Sequence, residues 1–339
     1  MLLSEFDFPF DPALVADRPV EPRDQARLLV VSRQDGARAH HRIADLPELL
    51  ESGDLLVVND TKVLPARMTG RKRPGGGKVD MIFVKEVSNS TWEVLMKGGG
   101  KVGQVIELDD EAYCTVVETG PSRILVGMTT SKPIRALFQT IGHMPLPPYI
   151  KRAPEPSDLQ WYQTYFAREE GSIAAPTAGL HFTEELIAGL GVRGIHIAPV
   201  TLHVGPATFR PVKTIRIEDH QMLSERVEVS PETARTIMRV KANGGRIVAV
   251  GTTVVRALET ASNEEGAITP YDGEATLYIT PGYRFRLVDA MLTNFHLPRT
   301  TLLMLVSAFA GVERLRDAYA EAIEERYRFY SYGDAMLIL

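Results

Sequence analysis

A single cysteine, Cys114, and two tryptophans are all that 339 residues contain of these types. One thiol excludes a disulfide framework and any multi-thiolate metal site. Its setting, "EAYCTVVE", alternates like a strand and marks a buried structural thiol rather than a nucleophile. Long apolar runs are also missing. "TTLLMLVSAFAG" (300–311) is the longest, far short of the ~20 residues that cross a bilayer. The start, "MLLSEFDFPFDP", is acidic and broken by proline, without the basic region and apolar run of a signal peptide. These absences predict a cytoplasmic protein with no membrane association. Net positive charge is missing too: 38 basic and 43 acidic residues give −5, which argues against a protein coated in nucleic acid.

The usual nucleotide and metal signatures are equally absent. "PGGGKVD" (74–80) and "KGGGKVG" (97–103) look like phosphate loops. A Walker loop, however, needs glycine five residues before the Gly-Lys pair and Ser or Thr after it. Those positions hold Lys72 and Val79 in the first cluster, Leu95 and Val102 in the second. Both clusters read as hairpin turns. No G-x-G-x-x-G joins a strand to a following helix ("GGGKVG", 98–103, lies between two predicted strands), so a Rossmann dinucleotide site has no support. The eight histidines include no H-E-x-x-H, and His196 and His203, seven apart on a predicted strand, fall on opposite faces. No metal site is expected.

What remains is an ordered pattern of elements. "RLLVVSR" (27–33) and "DLLVVND" (54–60) read as short buried strands. "KVDMIFVKEV", "TWEVLMK", "QVIELD", "YCTVVETG" and "RILVGMT" then follow with turns and no helix between them, which predicts a small barrel or sandwich. A short helix from Pro133 closes this region. From about residue 155 strands and helices alternate. "GIHIAPVTLHV" is a strand pair or one long bent strand. "PETARTIMRVKANGG" is a helix capped by Ser230, "RIVAVG" a strand, "TTVVRALETASNEEG" a helix, and "EATLYIT" and "RLVDAMLTN" strands. Two helices cover about 299–311 and 312–327. The fold class is α/β: a discontinuous α/β domain, 1–64 and 151–339, with a small all-β barrel inserted over 65–150.

Five stretches carry candidate chemistry. Between Thr61 and Val79 lie Lys62, Arg67, Arg71, Lys72, Arg73 and Lys78 and no acid. The run suits either a solvated loop or a patch that meets a polyanion. "VGTTVVRALE" ends a strand at Gly251 and opens a helix at Thr252 and Thr253, whose free N–H groups favour a carboxylate or phosphate; an ordinary capped turn is the alternative. "TNFHLPRTT" places Asn294 and His296 at a strand end, where ligand sites of α/β proteins lie, although such a histidine also commonly satisfies a buried backbone group. "GSIAAPTAGLHFTEEL" (171–186) gives up side-chain volume before a helix start, as neither a core nor a linker would. "YRFYSYGDAMLIL" ends the chain with aromatic rings that either stack on a base or dock on the core.

Six runs together resemble the S-adenosylmethionine:tRNA ribosyltransferase-isomerase family of the queuosine pathway: "LLVVNDTKVLPARMTG" (55–70), "GSIAAPTAGLHFT" (171–183), "VTLHVGPATFRPV" (200–212), "VAVGTTVVRALE" (248–259), "LTNFHLPRTTLLMLVSAFAG" (292–311) and "YRFYSYGDAMLIL" (327–339). They span nearly the whole chain in order. Two segments depart from the family pattern. Pro206 and Ala207 replace the usual alanine and glycine, and "LMKGGGKVGQ" lacks the arginine and proline of that hairpin.

The resemblance implies a two-domain α/β fold with an inserted β-barrel and a reaction without a bound cofactor. S-adenosylmethionine is the co-substrate. Its ribosyl moiety is transferred and rearranged onto 7-aminomethyl-7-deazaguanine at the tRNA wobble position, giving epoxyqueuosine, adenine and methionine. His181, His203 and His296 are the candidates for proton transfer, with Asp334 or Glu225 orienting one of them. Ala175, Pro176, Thr177, Gly179, Gly251, Thr252, Thr253 and Asn294 are expected to hold S-adenosylmethionine. Arg67, Arg71, Lys72, Arg73 and Tyr332 are expected to meet tRNA. A monomer is expected. A binding-only RNA protein and another S-adenosylmethionine-dependent tRNA-modifying enzyme, such as a methyltransferase, are the competing readings; the missing glycine-rich loop speaks against the methyltransferase.

Overall fold

The computed structural model describes residues 1–120, 123–205 and 212–339. The most apolar runs of the chain form its innermost strands. Leu55–Asn59, Ile247–Val250, Ala290–Asn294 and Ala335–Ile338 are buried at every residue, as strands covered on both faces must be. They lie inside a nine-stranded mixed sheet whose order is Tyr271–Ala275, Glu225–Val229, His196–Leu202, Leu55–Asn59, Ile247–Val250, Ala290–Asn294, Ala335–Ile338, Arg27–Val31 and Arg38–Arg42. Alternate side chains of these strands enter two separate cores. Leu55, Val57, Ala249 and Met291 pack with the helices Pro231–Ala242, Thr252–Ala261 and Thr301–Ala310. Leu56, Val58, Val248 and Leu292 pack with Glu184–Val192.

Four neighbouring strands, from His196–Leu202 to Ala290–Asn294, run parallel. From Leu55–Asn59 the chain returns first to His196–Leu202 on one side, then to Ile247–Val250 on the other. The order of strands therefore reverses around Leu55–Asn59, the kind of switch point where α/β sheets open a crevice beyond their carboxyl ends.

The inserted module is a closed antiparallel barrel of six strands. Five correspond to the expected ones: Lys78–Ser88, Thr91–Lys97, Val105–Glu107, Ala112–Thr119 and Ile124–Thr130. The sixth, Arg67–Arg73, is the basic stretch itself, a strand and not a loop. Its charges obscured the alternation: Met68 and Gly70 point inward while Arg67, Arg71 and Arg73 share the outer face. Gly70 is required there, because a Cβ would fall 2.5 Å from Ile106 Cγ2. Cys114 is fully buried in the barrel core, and burial pushes its thiol up to about 12. The helix Ile134–Ile141 plugs the barrel with Leu137 and Phe138. The two glycine clusters lie at the turns between barrel strands, as expected.

Of the two readings of "GIHIAPVTLHV", a single strand is present, His196–Leu202. Two expectations need correction. "EATLYIT" contributes only its first residues to a strand, Tyr271–Ala275. Tyr332 is 2% exposed, packed edge-on against Tyr162 with its hydroxyl donating to Asp158 Oδ1 at 3.2 Å, so its ring is not available to stack on tRNA. The tail docks: Ala335–Ile338 inserts between Ala290–Asn294 and Arg27–Val31. The Pro206–Ala207 departure lies outside the described residues.

Candidate active site

A cavity of about 660 Å³ opens beyond the carboxyl ends of the parallel strands. Three strand ends feed it directly: Val204 after His196–Leu202, Gly251 after Ile247–Val250, and Asn294 and His296 at the end of Ala290–Asn294. Asn59, at the end of Leu55–Asn59, holds the first of these ends: its Oδ1 accepts from Leu202 N at 3.1 Å and its Nδ2 donates to Leu202 O at 2.9 Å. Gly251 turns the chain from strand to helix at φ 96°, in a region L residues disfavour. The ten-residue helix that follows, Thr252–Ala261, starts with no side-chain cap, with Thr252 and Thr253 lining the cavity. Its first N–H groups form a positive end suited to an anion.

The small residues of 171–186 supply another wall. Ala174, Ala175, Pro176, Thr177 and Ala178 line the cavity. Small side chains there leave room for a ligand and expose backbone groups to it. Gly179 departs from this pattern. A Cβ on it would meet Thr164 Cγ2 at 3.0 Å, and it faces packed side chains outside the cavity lining.

The three candidate histidines separate. His296 lines the cavity; its Nε2 lies 2.9 Å from Thr293 Oγ1 and its backbone N–H donates to Tyr319 at 2.7 Å. Burial pulls its pKa to about 4, so the ring is neutral near pH 7. His181 is buried outside the cavity lining and meets the lining residue Asn294, whose Nδ2 lies 3.2 Å from His181 Nε2. Burial, with Arg328 and Arg23 nearby, brings it too to about 4. His203 stands outside the cavity, its Nδ1 2.8 Å from Thr61 Oγ1, which also meets Ser172 Oγ at 2.8 Å. Burial lowers its pKa. A fourth histidine, His220, lines the cavity and was not anticipated; nothing around it in sequence distinguishes it from a surface histidine.

Asp334 orients no histidine. Its carboxylate accepts from Arg27 N at 3.0 Å and Arg328 N at 2.7 Å, stitching the tail to the first strand. Glu225 lines the cavity but is committed to Arg256, in a buried ion pair, and to Gly205 N at 2.9 Å. Beside these satisfied groups, three residues that line the cavity carry a polar atom that is buried without a partner among the described residues: Asn294 Oδ1, Tyr330 Oη and Thr214 Oγ1. An unmade hydrogen bond of this kind costs about 1–3 kcal/mol, and three in one cavity point to a ligand that completes them. Tyr330 is also held at φ 72°, a strained conformation of the sort that gathers at functional sites. Among the described residues no group of three His, Cys, Asp or Glu side chains is placed to hold a metal ion.

On the barrel the expected tRNA cations divide by partner. Arg67 pairs with Asp80 at 2.6 Å and Arg73 with Glu107. Lys72 Nζ donates to Gly98 O at 2.8 Å. Arg71 is exposed and has no ion pair among the described residues. A further exposed cation, Lys213, stands at the edge of the cavity.

Comparison with known proteins agrees with this architecture. The family described as "Queuosine biosynthesis protein" matches residues 3–338. S-adenosylmethionine:tRNA ribosyltransferase-isomerase of Moorella thermoacetica is 49% identical over 344 residues, and that of Aquifex aeolicus 48% over 342, each alignment covering 100% of both chains. The crystal structure of S-adenosylmethionine tRNA ribosyltransferase from Thermotoga maritima is 36% identical, covers 99% of this chain and 100% of its own, and superposes with a TM-score of 0.57. With a full-length family match and relatives near half identity from end to end, the chain belongs to the queuosine biosynthesis protein family.

Proposed function

We propose that this chain is an S-adenosylmethionine:tRNA ribosyltransferase-isomerase. It transfers and isomerises the ribosyl moiety of S-adenosylmethionine onto 7-aminomethyl-7-deazaguanine at the tRNA wobble position, releasing adenine and methionine and leaving epoxyqueuosine. The observation that carries the reading is the cavity: matching runs from distant parts of the chain converge on one space with an uncapped helix start and, among the described residues, three lining residues with an unpartnered polar atom. The uncapped start at Thr252 and Thr253 suits the methionine carboxylate. The apolar wall of Ala174–Ala178 excludes water around the sulfonium.

The reaction begins with loss of a proton from the carbon beside the positive sulfur, and needs a base within reach. His296 and His220 are the histidines that line the cavity, and neutral imidazole suits the role near pH 7. Lys213 at the cavity edge and Arg71 on the barrel are placed to neutralise tRNA phosphates. Among the described residues no helix is long and apolar enough to cross a membrane. The protein acts in this reading as a cytoplasmic monomer.

Incubation with S-adenosylmethionine labelled in the adenine ring and with substrate tRNA tests the proposal. Labelled adenine is the expected product. S-adenosylhomocysteine would make the protein a methyltransferase, and tRNA binding without turnover would make it an RNA-binding protein.

A further inference from the structure

Asn294 closes the strand Ala290–Asn294 and lines the cavity, and its amide is held from one end only. Nδ2 donates to Tyr330 O at 3.0 Å and to His181 Nε2 at 3.2 Å. Oδ1 is buried and has no donor among the described residues. Two acceptors around Nδ2 prevent the amide from flipping, since the flipped oxygen would face a carbonyl and an imidazole lone pair. The imidazole is able to accept because it is neutral, its pKa pulled to about 4 by burial and nearby arginines. The Tyr330 carbonyl sets the donor nitrogen Nδ2 on this side, so Nε2 of His181 accepts and its ring proton lies on Nδ1.

We propose that His181 is a positioning residue: it fixes the Asn294 amide so that Oδ1 is an obligate acceptor for an N–H group of bound substrate, and it transfers no proton itself. This rests on the cavity being the substrate site, as proposed above. The ligand chemistry is an amino, ammonium or ring N–H group. S-adenosylmethionine and the deazaguanine of the tRNA both carry such groups, and the kinetics of variants assign the group to one of them.

Three variants test the assignment: His181→Gln, His181→Leu and Asn294→Ala. Glutamine keeps an acceptor in reach of Asn294 without a proton that titrates near neutrality, whereas leucine removes the acceptor at similar volume. His181→Gln is expected to turn over within about tenfold of the parent, with the pH profile of kcat/KM unmoved. His181→Leu and Asn294→Ala are expected to raise KM for the same substrate, S-adenosylmethionine or tRNA, by about 10- to 100-fold, the loss of one buried hydrogen bond, with a smaller change in kcat. A thermal melt of each variant separates these effects from misfolding. Folded His181→Gln as slow as His181→Leu, with kcat lost and KM intact, would overturn the proposal in favour of proton transfer. An unchanged KM for both substrates in folded Asn294→Ala would overturn it as well. If the parent protein releases no adenine, the reaction assignment fails on its own, and equilibrium binding of S-adenosylmethionine and of tRNA to the same variants still decides the role of His181.

Discussion

Glu225 and Arg256 form an ion pair inside the cavity wall in which the two side chains are only 3% and 6% exposed. Each is otherwise satisfied: Arg256 donates to Ala275 O at 3.1 Å and Leu277 O at 3.3 Å, and Glu225 accepts from Gly205 N. Removing one partner leaves a buried charge uncompensated, which costs about 3–5 kcal/mol. Glu225→Leu is therefore expected to lower the urea midpoint strongly. Arg256→Met in addition should cost less than the sum of the two single changes, as a double-mutant cycle reads directly.

Salt dependence tests the barrel. Arg67 and Arg73 already hold carboxylates, while Arg71 on the same outer face holds none among the described residues. Arg71→Ala is expected to reduce the slope of log tRNA affinity against log salt by about 0.7–0.9. Arg67→Ala should change it less, and affinity for S-adenosylmethionine should stay at the parent value. An equal loss of slope in both variants would show that tRNA displaces Asp80 from Arg67.

Thr252 opens the helix that lines the cavity and is 6% exposed. Thr252→Val keeps its shape and removes its hydroxyl. If this helix start holds the carboxylate of S-adenosylmethionine, KM for that substrate should rise by the equivalent of about 1.5–3 kcal/mol, a hydrogen bond to a charged group. KM for tRNA should move less. Steady-state kinetics with each substrate varied in turn checks this.

Acid should destabilise the fold before most carboxylates titrate. His181 and His296 sit at about 4 in the folded protein, against about 6.5 in an unfolded chain. Between these values the unfolded state binds more protons, so stability is present above pH 6.5 and is lost as pH falls toward 4. Each histidine accounts for a loss on the order of 3 kcal/mol. Urea midpoints across this range should fall, and His181→Gln should fall less steeply than the parent.

Much of this arrangement was legible in the sequence, and the misses have physical causes. Apolar runs and turn residues located the central strands. "VGTT" and "TNFH" announced cavity positions because strand ends followed by helix starts carry a fixed geometry. Seven of the eight positions expected to hold S-adenosylmethionine line one cavity; Gly179, the eighth, packs on Thr164. A glycine that clears a side chain and one that clears a ligand look the same in a string of letters. The partners of His181, Glu225 and Asp334 come from 113, 31 and 307 residues away, a separation at which local pattern says nothing. The strand Arg67–Arg73 hid because its outward face is all charge or threonine.

The most direct test of the site is single-turnover adenine release by His296→Ala at saturating S-adenosylmethionine and tRNA, with binding of S-adenosylmethionine measured beside it. His296 lines the cavity as a neutral imidazole; if it is the base of the proposed reaction, its loss should slow release by about 100- to 10,000-fold and leave that binding intact. Adenine released at the parent rate would contradict its role and move the proton transfer to another group in the cavity.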